Sequence, residues 1–338
     1  MEKLRIGVIG TGMIGSLHAG IYAANPRCDL VGVYDLDAER AADVAGRTGT
    51  ERFDAMEALL DPAVVDAIAI ATPETHRAAP ALLAADRGIP MLLEKPLGRS
   101  LSQVDDLVGK LTAKKAYAAV NFILHADPRY ASMAKLVAEG GIGRTVSFYA
   151  RRRGSNLGLE HYAKWTDLLS STLIHDIEMV LAVNGTSVER VFSEAVVRAC
   201  EGLDSHDAIV ATVRFADGAV AIFETSWVQP PLQPEPLEPA FHVIGDGGSV
   251  IIEGSSQGMK VLTAQRYTHP DMTHWPALPG GTGGALKASL DMFVDNLLAE
   301  RPPLVGLKAA RAAEAVVQAM KTSIATGMPV NVEPDGAP

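Results

Sequence analysis

Short apolar runs alternate with segments of helical spacing along the first hundred residues. The apolar runs predict strands buried on both faces of a sheet, at Leu4–Ile9, Leu30–Tyr34, Val64–Ala71 and Met91–Leu93. The segments between them predict helices at Met13–Ala24, Ala38–Thr48 and Ala78–Arg87. Strand–helix–strand units repeated at this length predict an α/β fold with a doubly wound parallel sheet.

The second half of the chain has a different pattern, in which several strands follow one another. These strands are predicted at Val146–Arg153, Ala208–Phe215, Ala219–Trp227, Phe241–Ile244 and Ser249–Glu253. Helices are predicted at Met133–Gly140, Ser170–Val183, Leu286–Ala299 and Leu307–Thr326. The prolines between residues 229 and 239 argue against a sheet interior there. We therefore predict two domains, residues 1–122 and residues 123–338, the second an α+β domain with an antiparallel or mixed sheet.

Composition narrows the class of protein. The 338 residues suffice for about two domains, and a net charge of −10 argues against a broad nucleic-acid surface. Cys28 and Cys200 are too few for a disulfide framework or a structural zinc site, which favours a reducing cytoplasm. The charge-free stretch between Arg5 and Arg27 has the length of a membrane span, but its glycines favour a strand, a turn and a helix instead. We therefore expect no membrane partner.

A glycine-rich motif joins the first predicted strand to the first predicted helix. It consists of Gly10, Thr11, Gly12, Met13, Ile14 and Gly15. Such a pattern alone could serve any tight turn, but Asp35 follows about 20 residues later, at the end of the second predicted strand. The glycines would admit a pyrophosphate at the helix N-terminus, and Asp35 would bind the ribose hydroxyls. Because Leu36 and Asp37 follow Asp35, with no Lys or Arg beside it, we expect NAD rather than NADP.

Two later strand ends add candidate cofactor residues, because ligands of open parallel sheets lie beyond the carboxyl ends of the strands. The third strand ends at Thr72 and Pro73, with His76 shortly after them. The fourth strand ends in Glu94-Lys95-Pro96. Each proline disfavours helical backbone angles at the residue before it, so Lys95 would be held extended near the cofactor.

These motifs together resemble the Gfo/Idh/MocA oxidoreductases, the family of glucose-fructose oxidoreductase and inositol 2-dehydrogenase. The likeness continues through Val213–Ala219, Gly245–Gly248 and Met328–Val330. It implies that the second domain contains a large open, mostly antiparallel sheet whose exposed face forms homodimers or homotetramers. We also expect the C-terminal helices to pack back toward the first domain.

His175 is the candidate general base, because imidazole can accept a hydroxyl proton near neutral pH. The segment Ser171–Glu178 resembles the inositol dehydrogenase helix in which an Asp and a His stand four residues apart. Here Ser171 takes the place of the Asp. At this spacing Ser171 and His175 would share a helix face, and Asp167, a turn earlier, could supply the missing carboxylate. We expect Lys95 to polarise the reacting oxygen while His175 takes its proton.

Candidate substrate residues surround the start of the second domain; they are His125, Asp127, Arg152, Asn156, Trp165, Asp167, Ser171 and His175. Asp127 could equally cap the helix that follows it. Arg152 should point away from its neighbours Arg151 and Arg153, because side chains alternate along a strand. This arginine-rich region also resembles family members that oxidise carboxylated ring diols or cyclic hemiacetals of aromatic catabolism, in which an arginine would bind a carboxylate.

Three functions therefore stay open. The favoured one is an NAD-dependent dehydrogenase of a small cyclic polyol or sugar, inositol-like, and the second is a dehydrogenase of a carboxylated ring substrate. The third is a non-catalytic NAD-binding sensor, in which Ser171 marks lost chemistry. We expect no metal site, because His269, Asp271 and His274 lie in a proline-rich loop without a second ligand pair.

Overall fold

The chain forms two compact units in a computed structural model that describes residues 3–164, 166–203, 205–235, 237–254 and 257–332. The first unit comprises the residues up to Ala126 together with His274–Arg311. The second comprises Asp127–Thr273 and the residues from Ala312 onward. The chain leaves the first unit a few residues after the predicted boundary at 122, and it returns to that unit for the segment that contains the first of the two C-terminal helices.

The first unit is built on a parallel sheet. Its strands are β1 (Leu4–Ile9), β2 (Cys28–Tyr34), β3 (Glu51–Arg52), β4 (Ala67–Ile70), β5 (Met91–Leu93) and β6 (Ala118–Val120). Its helices up to this point are α1 (Met13–Ala24), α2 (Ala38–Thr48), α3 (Met56–Leu59), α4 (Ala78–Asp86) and α5 (Leu101–Ala113). The strand order is β3-β2-β1-β4-β5-β6, and every pairing is parallel. The predicted doubly wound sheet is confirmed, although the sequence patterns missed β3, β6 and α5.

The second unit is built on a larger mixed sheet. After α6 (Pro128–Ala138) come β7 (Thr145–Ser155), α7 (Leu159–Tyr162), a π-helical turn at Leu169–Leu173 and α8 (Ile174–Asn184). The next strands are β8 (Val188–Val196), β9 (Ala208–Phe215), β10 (Val220–Gln229), β11 (Leu237–Gly245), β12 (Ser249–Glu253), β13 (Val261–Leu262) and β14 (Tyr267–Thr268). The seven-stranded order is β12-β11-β7-β10-β9-β8 followed by a final short strand at Val330–Asn331. Only β7 and β10 pair in parallel among these strands, so the expected mostly antiparallel sheet is confirmed.

The returning segment completes the first unit. It adds a hairpin, β15 (Ala277–Leu278) with β16 (Gly281–Thr282), and α9 (Gly284–Leu298). Buried side chains of α9 join the apolar core that β1, β2 and α1 share; they are Ala285, Leu286, Leu290, Phe293 and Val294. The last helix, α10 (Leu307–Thr326), precedes β17 (Val330–Asn331). A segment from near the end of the chain therefore belongs to the core of the first unit.

One strand prediction was wrong in detail. Pro239 lies inside β11, paired with Arg152 of β7, although prolines were expected to keep residues 229–239 out of the sheet. The neighbouring strand β12 ends with Glu253 opposite Ala240, so Pro239 has a strand on one side only. A proline is tolerated there because the missing N–H removes no ladder bond on the open side.

Candidate functional site

The turn after β1 requires its glycines. Gly10 has a φ of +87°, and a Cβ there would lie 2.8 Å from the carbonyl carbon of Ala71. A Cβ on Gly15 would collide with the carbonyl oxygen of Gly10, whereas nothing lies within 4 Å of a Cβ at Gly12. The first and third glycines thus allow close packing of strand and helix, and the second leaves an open approach to the N-terminus of α1.

The remaining residues of the motif differ in exposure. Thr11 is buried, Ile14 is half-buried, and Met13 is 63% exposed at the first position of α1. A core methionine would be buried, so this exposure argues against a packing role for Met13. Its position beside the open glycine is compatible with the predicted cofactor contact.

Asp35 is held rigidly at the end of β2. Its Oδ2 accepts hydrogen bonds from the backbone N–H of Thr11 at 2.6 Å and from the Thr11 hydroxyl at 3.1 Å. Its Oδ1 accepts from the backbone N–H of Asp37 at 2.9 Å. The carboxylate thereby links the glycine turn to the end of the second strand, where the sequence placed a ribose-binding acid.

Arg40 is a charged neighbour of Asp35 that the sequence argument missed. It lies in the first turn of α2, and its Nη1 is 3.7 Å from Asp35 Oδ2, while its Nη2 donates to Asp37 at 3.0 Å. The expectation of NAD rested on Leu36 and Asp37, directly after Asp35, and Arg40 lies further along the chain. Asp37 caps α2 by accepting from the Arg40 backbone N–H. An aspartate before a helix is a recognisable cap, and recognising it would have predicted that Arg40 lies near the end of β2.

The end of β4 contributes Thr72, Pro73 and His76. The Thr72 hydroxyl is buried and has no hydrogen-bond partner among the described residues, while its carbonyl oxygen accepts from the Arg77 guanidinium. Pro73 and His76 are exposed, and the His76 Nδ1 is 2.8 Å from the Thr75 hydroxyl. A buried hydroxyl without a protein partner is costly unless another group satisfies it.

Two predicted cofactor residues, Glu94 and Lys95, follow β5 and differ in burial. Lys95 is half-buried, and its peptide bond to Pro96 is cis. The Glu94 carboxylate is buried and accepts a hydrogen bond from Asn121 Nδ2 at 2.6 Å. Burial alone would raise the pKa of Glu94, but the hydrogen bond from His18 and the Asn121 amide hold that pKa below its usual range. Glu94 is therefore a buried carboxylate within the unit, and its predicted cofactor contact stays a prediction.

His125, also in the first unit, lies in a short 3₁₀ helix at Ile123–Ala126 and is half-buried. In the second unit, His175 is the second residue of α8 and is half-buried as well. Ser171 lies within the π-helical turn that precedes α8. A π-helical turn advances differently from the α-helix that the four-residue spacing assumed, and such turns are frequent at functional sites.

Asp167 has local partners at the start of this turn. Its carboxylate accepts from the Ser170 backbone N–H at 2.9 Å and the Ser170 hydroxyl at 3.0 Å, and Lys321 Nζ lies 2.7 Å from it. Burial would raise the pKa of Asp167, but the Lys321 charge lowers it below its usual value. Asp167 thus caps the turn and pairs with α10.

Arg152 forms a buried ion pair with Asp176. The guanidinium is 3% exposed, and its Nε and Nη2 donate to the two Asp176 oxygens at 2.5 and 3.0 Å. Burial alone would lower the pKa of Arg152, but the Asp176 carboxylate raises it above its usual range. Arg151 and Arg153 lie on the opposite face of β7, paired with Glu238 and Glu224, so the predicted alternation is confirmed.

The other predicted substrate residues have separate surroundings. Asp127 caps α6 by accepting from the Arg129 backbone N–H at 2.9 Å, and it pairs with the Arg129 guanidinium. Asn156 is exposed in the loop after β7. Trp165 lies outside the described residues. Of the two open roles for Asp127, the structure therefore shows the cap.

The first unit fits a dinucleotide on three observations. The glycine turn leaves an open approach at Gly12, the Asp35 carboxylate is fixed beside it, and the buried Thr72 hydroxyl has no protein partner in the described part of the chain. All three lie at the carboxyl ends of neighbouring parallel strands, β1, β2 and β4. These residues would bind the pyrophosphate and the adenosine ribose.

The described residues contain neither a cluster of metal ligands nor a membrane-spanning helix. No group of three or more His, Cys, Asp or Glu side chains that could hold a metal ion occurs among them. His269 instead lies 2.6 Å from Glu235 and 2.5 Å from the Tyr267 hydroxyl. Within the same residues, no helix is both long and apolar enough to cross a membrane.

Comparison with known proteins places this geometry in a family. The model of the oxidoreductase family with an NAD-binding Rossmann fold matches residues 4–122, and the Gfo/Idh/MocA C-terminal domain matches residues 130–251. The chain is 30% identical over 228 residues to UDP-N-acetylglucosamine 3-dehydrogenase from Acidithiobacillus ferrooxidans, covering 68% of each protein. It is 30% identical over 193 residues to inositol 2-dehydrogenase from Rubrobacter xylanophilus, covering 56% of this chain and 55% of that protein.

Solved structures agree on the fold. The myo-inositol 2-dehydrogenase from Lactobacillus plantarum superimposes with a TM-score of 0.85 at 19% identity, over 98% of this chain and all of that chain (100%). The scyllo-inositol dehydrogenase from Lactobacillus casei, solved with NAD(H) and scyllo-inositol, gives 0.84 at 17% identity, over 98% of this chain and 99% of that chain. With both family domains matched in order and the glycine turn, Asp35 and Lys95 at the strand ends, the chain is an oxidoreductase of the Gfo/Idh/MocA family.

Proposed function

We propose that this protein is an NAD-dependent dehydrogenase that oxidises a secondary hydroxyl group of a small cyclic polyol or sugar. The observation that carries the proposal is the edge of the parallel sheet, where the open glycine turn, the fixed Asp35 carboxylate and the Thr72 hydroxyl occur at neighbouring strand ends. The relatives named for inositol and UDP-N-acetylglucosamine oxidation support a ring alcohol as the substrate class.

In this proposal Lys95 and His175 act on the reacting hydroxyl group. Bound NAD would accept a hydride from the carbinol carbon. The Lys95 ammonium would donate a hydrogen bond to the oxygen as it becomes a carbonyl, and the His175 imidazole would take the hydroxyl proton. The substrate loses two electrons and two hydrogens in total, one as the hydride and one as the proton.

The proposed substrate contacts are chosen by their exposure. His125, Asn156 and Ser171 are half-buried or exposed, and we propose that they contact the substrate hydroxyls. Arg152 is buried and already paired with Asp176, so binding a substrate carboxylate there would require that ion pair to open. Asp127 is likewise buried and paired, with Arg129. This geometry favours the polyol or sugar over a carboxylated ring diol, for which Arg152 was the main argument.

The experiment is a panel assay with the purified full-length chain. NADH formation would be followed by its near-ultraviolet absorbance. The substrates are inositols, aldoses, UDP-sugars, sugar acids and cyclic diols. Turnover of a cyclic polyol or sugar supports the proposal, and turnover of carboxylated diols alone would replace it with the second function. NAD binding without reduction of NAD by any substrate would support the sensor, and the same panel with NADP tests the cofactor.

The first prediction concerns the two reacting side chains. Lys95→Ala and His175→Ala should each lower kcat by about two orders of magnitude or more, because each removes a proton-transfer or charge-stabilising group. Steady-state kinetics on the best panel substrate measures this, with NAD affinity followed by protein fluorescence. Lys110→Ala, which removes an exposed lysine paired with Asp106, is the matched control. Unchanged turnover in either active-site variant would contradict the assignment.

The second prediction concerns the cofactor. Asp35→Asn keeps an acceptor for Thr11 but removes the charge that would repel a 2′-phosphate. The ratio of kcat/KM for NAD to that for NADP should therefore fall by about tenfold or more, a change of about 1.4 kcal/mol. Arg40, already 3.7 Å from this carboxylate, would then face the phosphate. Asp43→Asn on the exposed side of α2 should leave the ratio unchanged, and an unchanged ratio in Asp35→Asn would contradict the ribose role.

We also propose that the protein forms a cytoplasmic homo-oligomer through the outer face of the seven-stranded sheet. Several large apolar side chains on this face are exposed, among them Val210 (48%), Ile222 (44%) and Ile251 (63%). Monomers rarely expose a large continuous apolar patch. Sedimentation of the wild type and of Ile222→Glu tests this, because a charge at the interface should lower the oligomer size; equal size in both would argue against this face.

A further inference from the structure

A buried histidine contacts the residue that precedes Lys95. His18 lies on α1 and is fully buried, and its Nε2 is 3.0 Å from Glu94 Oε1. Glu94 extends the pairing of β5 by donating its backbone N–H to the Ile70 carbonyl at 3.0 Å. The imidazole therefore reaches the carboxylate at the point where the strand ends and the Lys95 peptide begins.

A second side chain reaches the same carboxylate, and a third supports it. Asn121, just after β6, donates its Nδ2 to Glu94 at 2.6 Å, and its own Oδ1 accepts from the Ser289 hydroxyl of α9 at 2.7 Å. A helix, a strand end and a distant helix thus supply a chain of buried hydrogen bonds that ends at Glu94. A satisfied buried network of this kind fixes the position of its members, because any displacement leaves a buried polar group unpaired.

The His18 ring has only one polar contact of this kind. Neither ring nitrogen makes a hydrogen bond of standard geometry among the described residues, so the polar contact shown for the ring is the 3.0 Å approach of Nε2 to Glu94. The edge of the ring packs against Tyr22, with centroids 6.2 Å apart at 89°. A bare acceptor nitrogen costs less in such surroundings than an unpaired N–H donor. The ring is therefore suited to donate from Nε2 to Glu94, and its second nitrogen has no structural task.

We propose that His18 is a positioning residue for Lys95, which acts by holding the Glu94 carboxylate and with it the backbone that presents the Lys95 ammonium. Lys95 follows Glu94 directly in the chain, so any displacement of the Glu94 backbone would move the lysine with it. The role in catalysis rests on the proposed function of Lys95, but the anchoring itself does not.

Three variants test the proposal in the full-length chain. His18→Phe keeps the ring shape and removes the donor, His18→Gln restores an N–H near the position of Nε2, and Tyr22→Phe removes a buried hydroxyl from the same helix face. We expect His18→Phe to lower kcat by about 10- to 100-fold, the scale of a small misplacement of a reacting group, with KM for NAD within about twofold. His18→Gln should recover most of kcat, and Tyr22→Phe should resemble the wild type. Equal kcat in His18→Phe and Tyr22→Phe, or no recovery in His18→Gln, would overturn the proposal.

A second readout separates this proposal from the proposed function. Reductive methylation of the NAD-free protein, followed by peptide mass spectrometry, reports the reactivity of Lys95 relative to the exposed Lys110. Loss of the anchor should increase the relative labelling rate of Lys95 several-fold in His18→Phe and not in His18→Gln. If the wild type oxidises no panel substrate, the proposed function fails while this measurement still decides the anchoring. Equal Lys95 labelling in all three variants would overturn the anchoring. If His18→Phe does not fold, His18→Met, which also lacks the donor, replaces it in both measurements with the same expected results.

Discussion

Both proposed catalytic residues have a buried carboxylate as a chain neighbour, but the two carboxylates are neutralised in different ways. Glu94, before Lys95, accepts a hydrogen bond from an amide and has an imidazole nitrogen 3.0 Å away. Asp176, after His175, receives a two-pronged bond from a guanidinium. The first arrangement uses groups of α1 and of the segment after β6, and Ser289 of α9 supports the second of these groups. The second arrangement uses one pair between β7 and α8.

The difference teaches how each residue is held. An arginine–carboxylate pair with two parallel bonds fixes both distance and orientation, so α8 is attached to the sheet in a single geometry. Glu94 depends on two separate contacts, with His18 of α1 and with Asn121, each of which can be altered alone. We therefore expect substitutions around His175 to act first on stability, and substitutions around Lys95 to act first on the position of the lysine.

The largest effect should come from the Arg152 pair. Arg152→Met leaves the fully buried Asp176 without its guanidinium, which should lower the free energy of unfolding by about 3–5 kcal/mol. Urea unfolding followed by circular dichroism measures this, and an unchanged slope would show that the change is one of stability. Adding Asp176→Leu should recover much of the loss, because the uncompensated charge is then gone. A loss below about 1 kcal/mol in the single variant would show that the two anchors do not differ as described.

A smaller effect, dependent on pH, is expected at Glu94. Its pKa in the folded protein lies below the value of 4.5 that it would have when unfolded, so the ionised carboxylate stabilises the fold above that pH. Glu94→Gln should cost about 1–3 kcal/mol at pH 7. The difference from wild type should shrink as the pH falls below about 4.5, since the wild-type carboxylate then takes up a proton. Urea midpoints at pH 7 and pH 4 test the sign, and a difference that grows on acidification would contradict it.

The smallest effect should come from Lys321 and Asp167, a half-buried pair in the second unit. Lys321→Met should lower stability by about 0.5–1 kcal/mol, because partly exposed ion pairs are screened by water. Asp167→Asn should cost a comparable amount through the weakened cap on the π-helical turn. A double-mutant cycle by urea unfolding gives the coupling between them. A coupling as large as that of Arg152 with Asp176 would remove the distinction between buried and half-buried anchors.

The sequence predicted the first unit better than the second. The bounds of β1, α1, α2 and β5 agree with the predicted ones, because apolar runs and helical spacing are local signals. The strand β3 was missed because its two residues are charged and form no apolar run, and β6 because its two alanines give a weaker apolar signal than the residues of β5. The π-helical turn at Leu169–Leu173 was predicted as ordinary helix, since the chain pattern does not separate the two geometries.

For the candidate site, the sequence indicated which residues matter more reliably than what they contact. Asp35 and Lys95 lie at strand ends as predicted, because their positions follow from the strands themselves. Arg152 and Asp127 were predicted as substrate residues, but each is buried against a charged partner. A polar residue near a strand end gives no sign of whether its partner is a ligand or another side chain.

The sequence by itself determined the order of strands and helices, the glycine turn and the placement of Asp35 and Lys95, all of which depend on residues close together in the chain. The tertiary structure alone decided which buried charges are paired. His18 and Ser289 reach the network of Glu94 from remote segments, and Arg152 reaches Asp176 across the sheet–helix layer. Such partners depend on the packing of whole elements. The free-energy cost of burying a charged group is offset by whichever polar group the fold brings within hydrogen-bond distance.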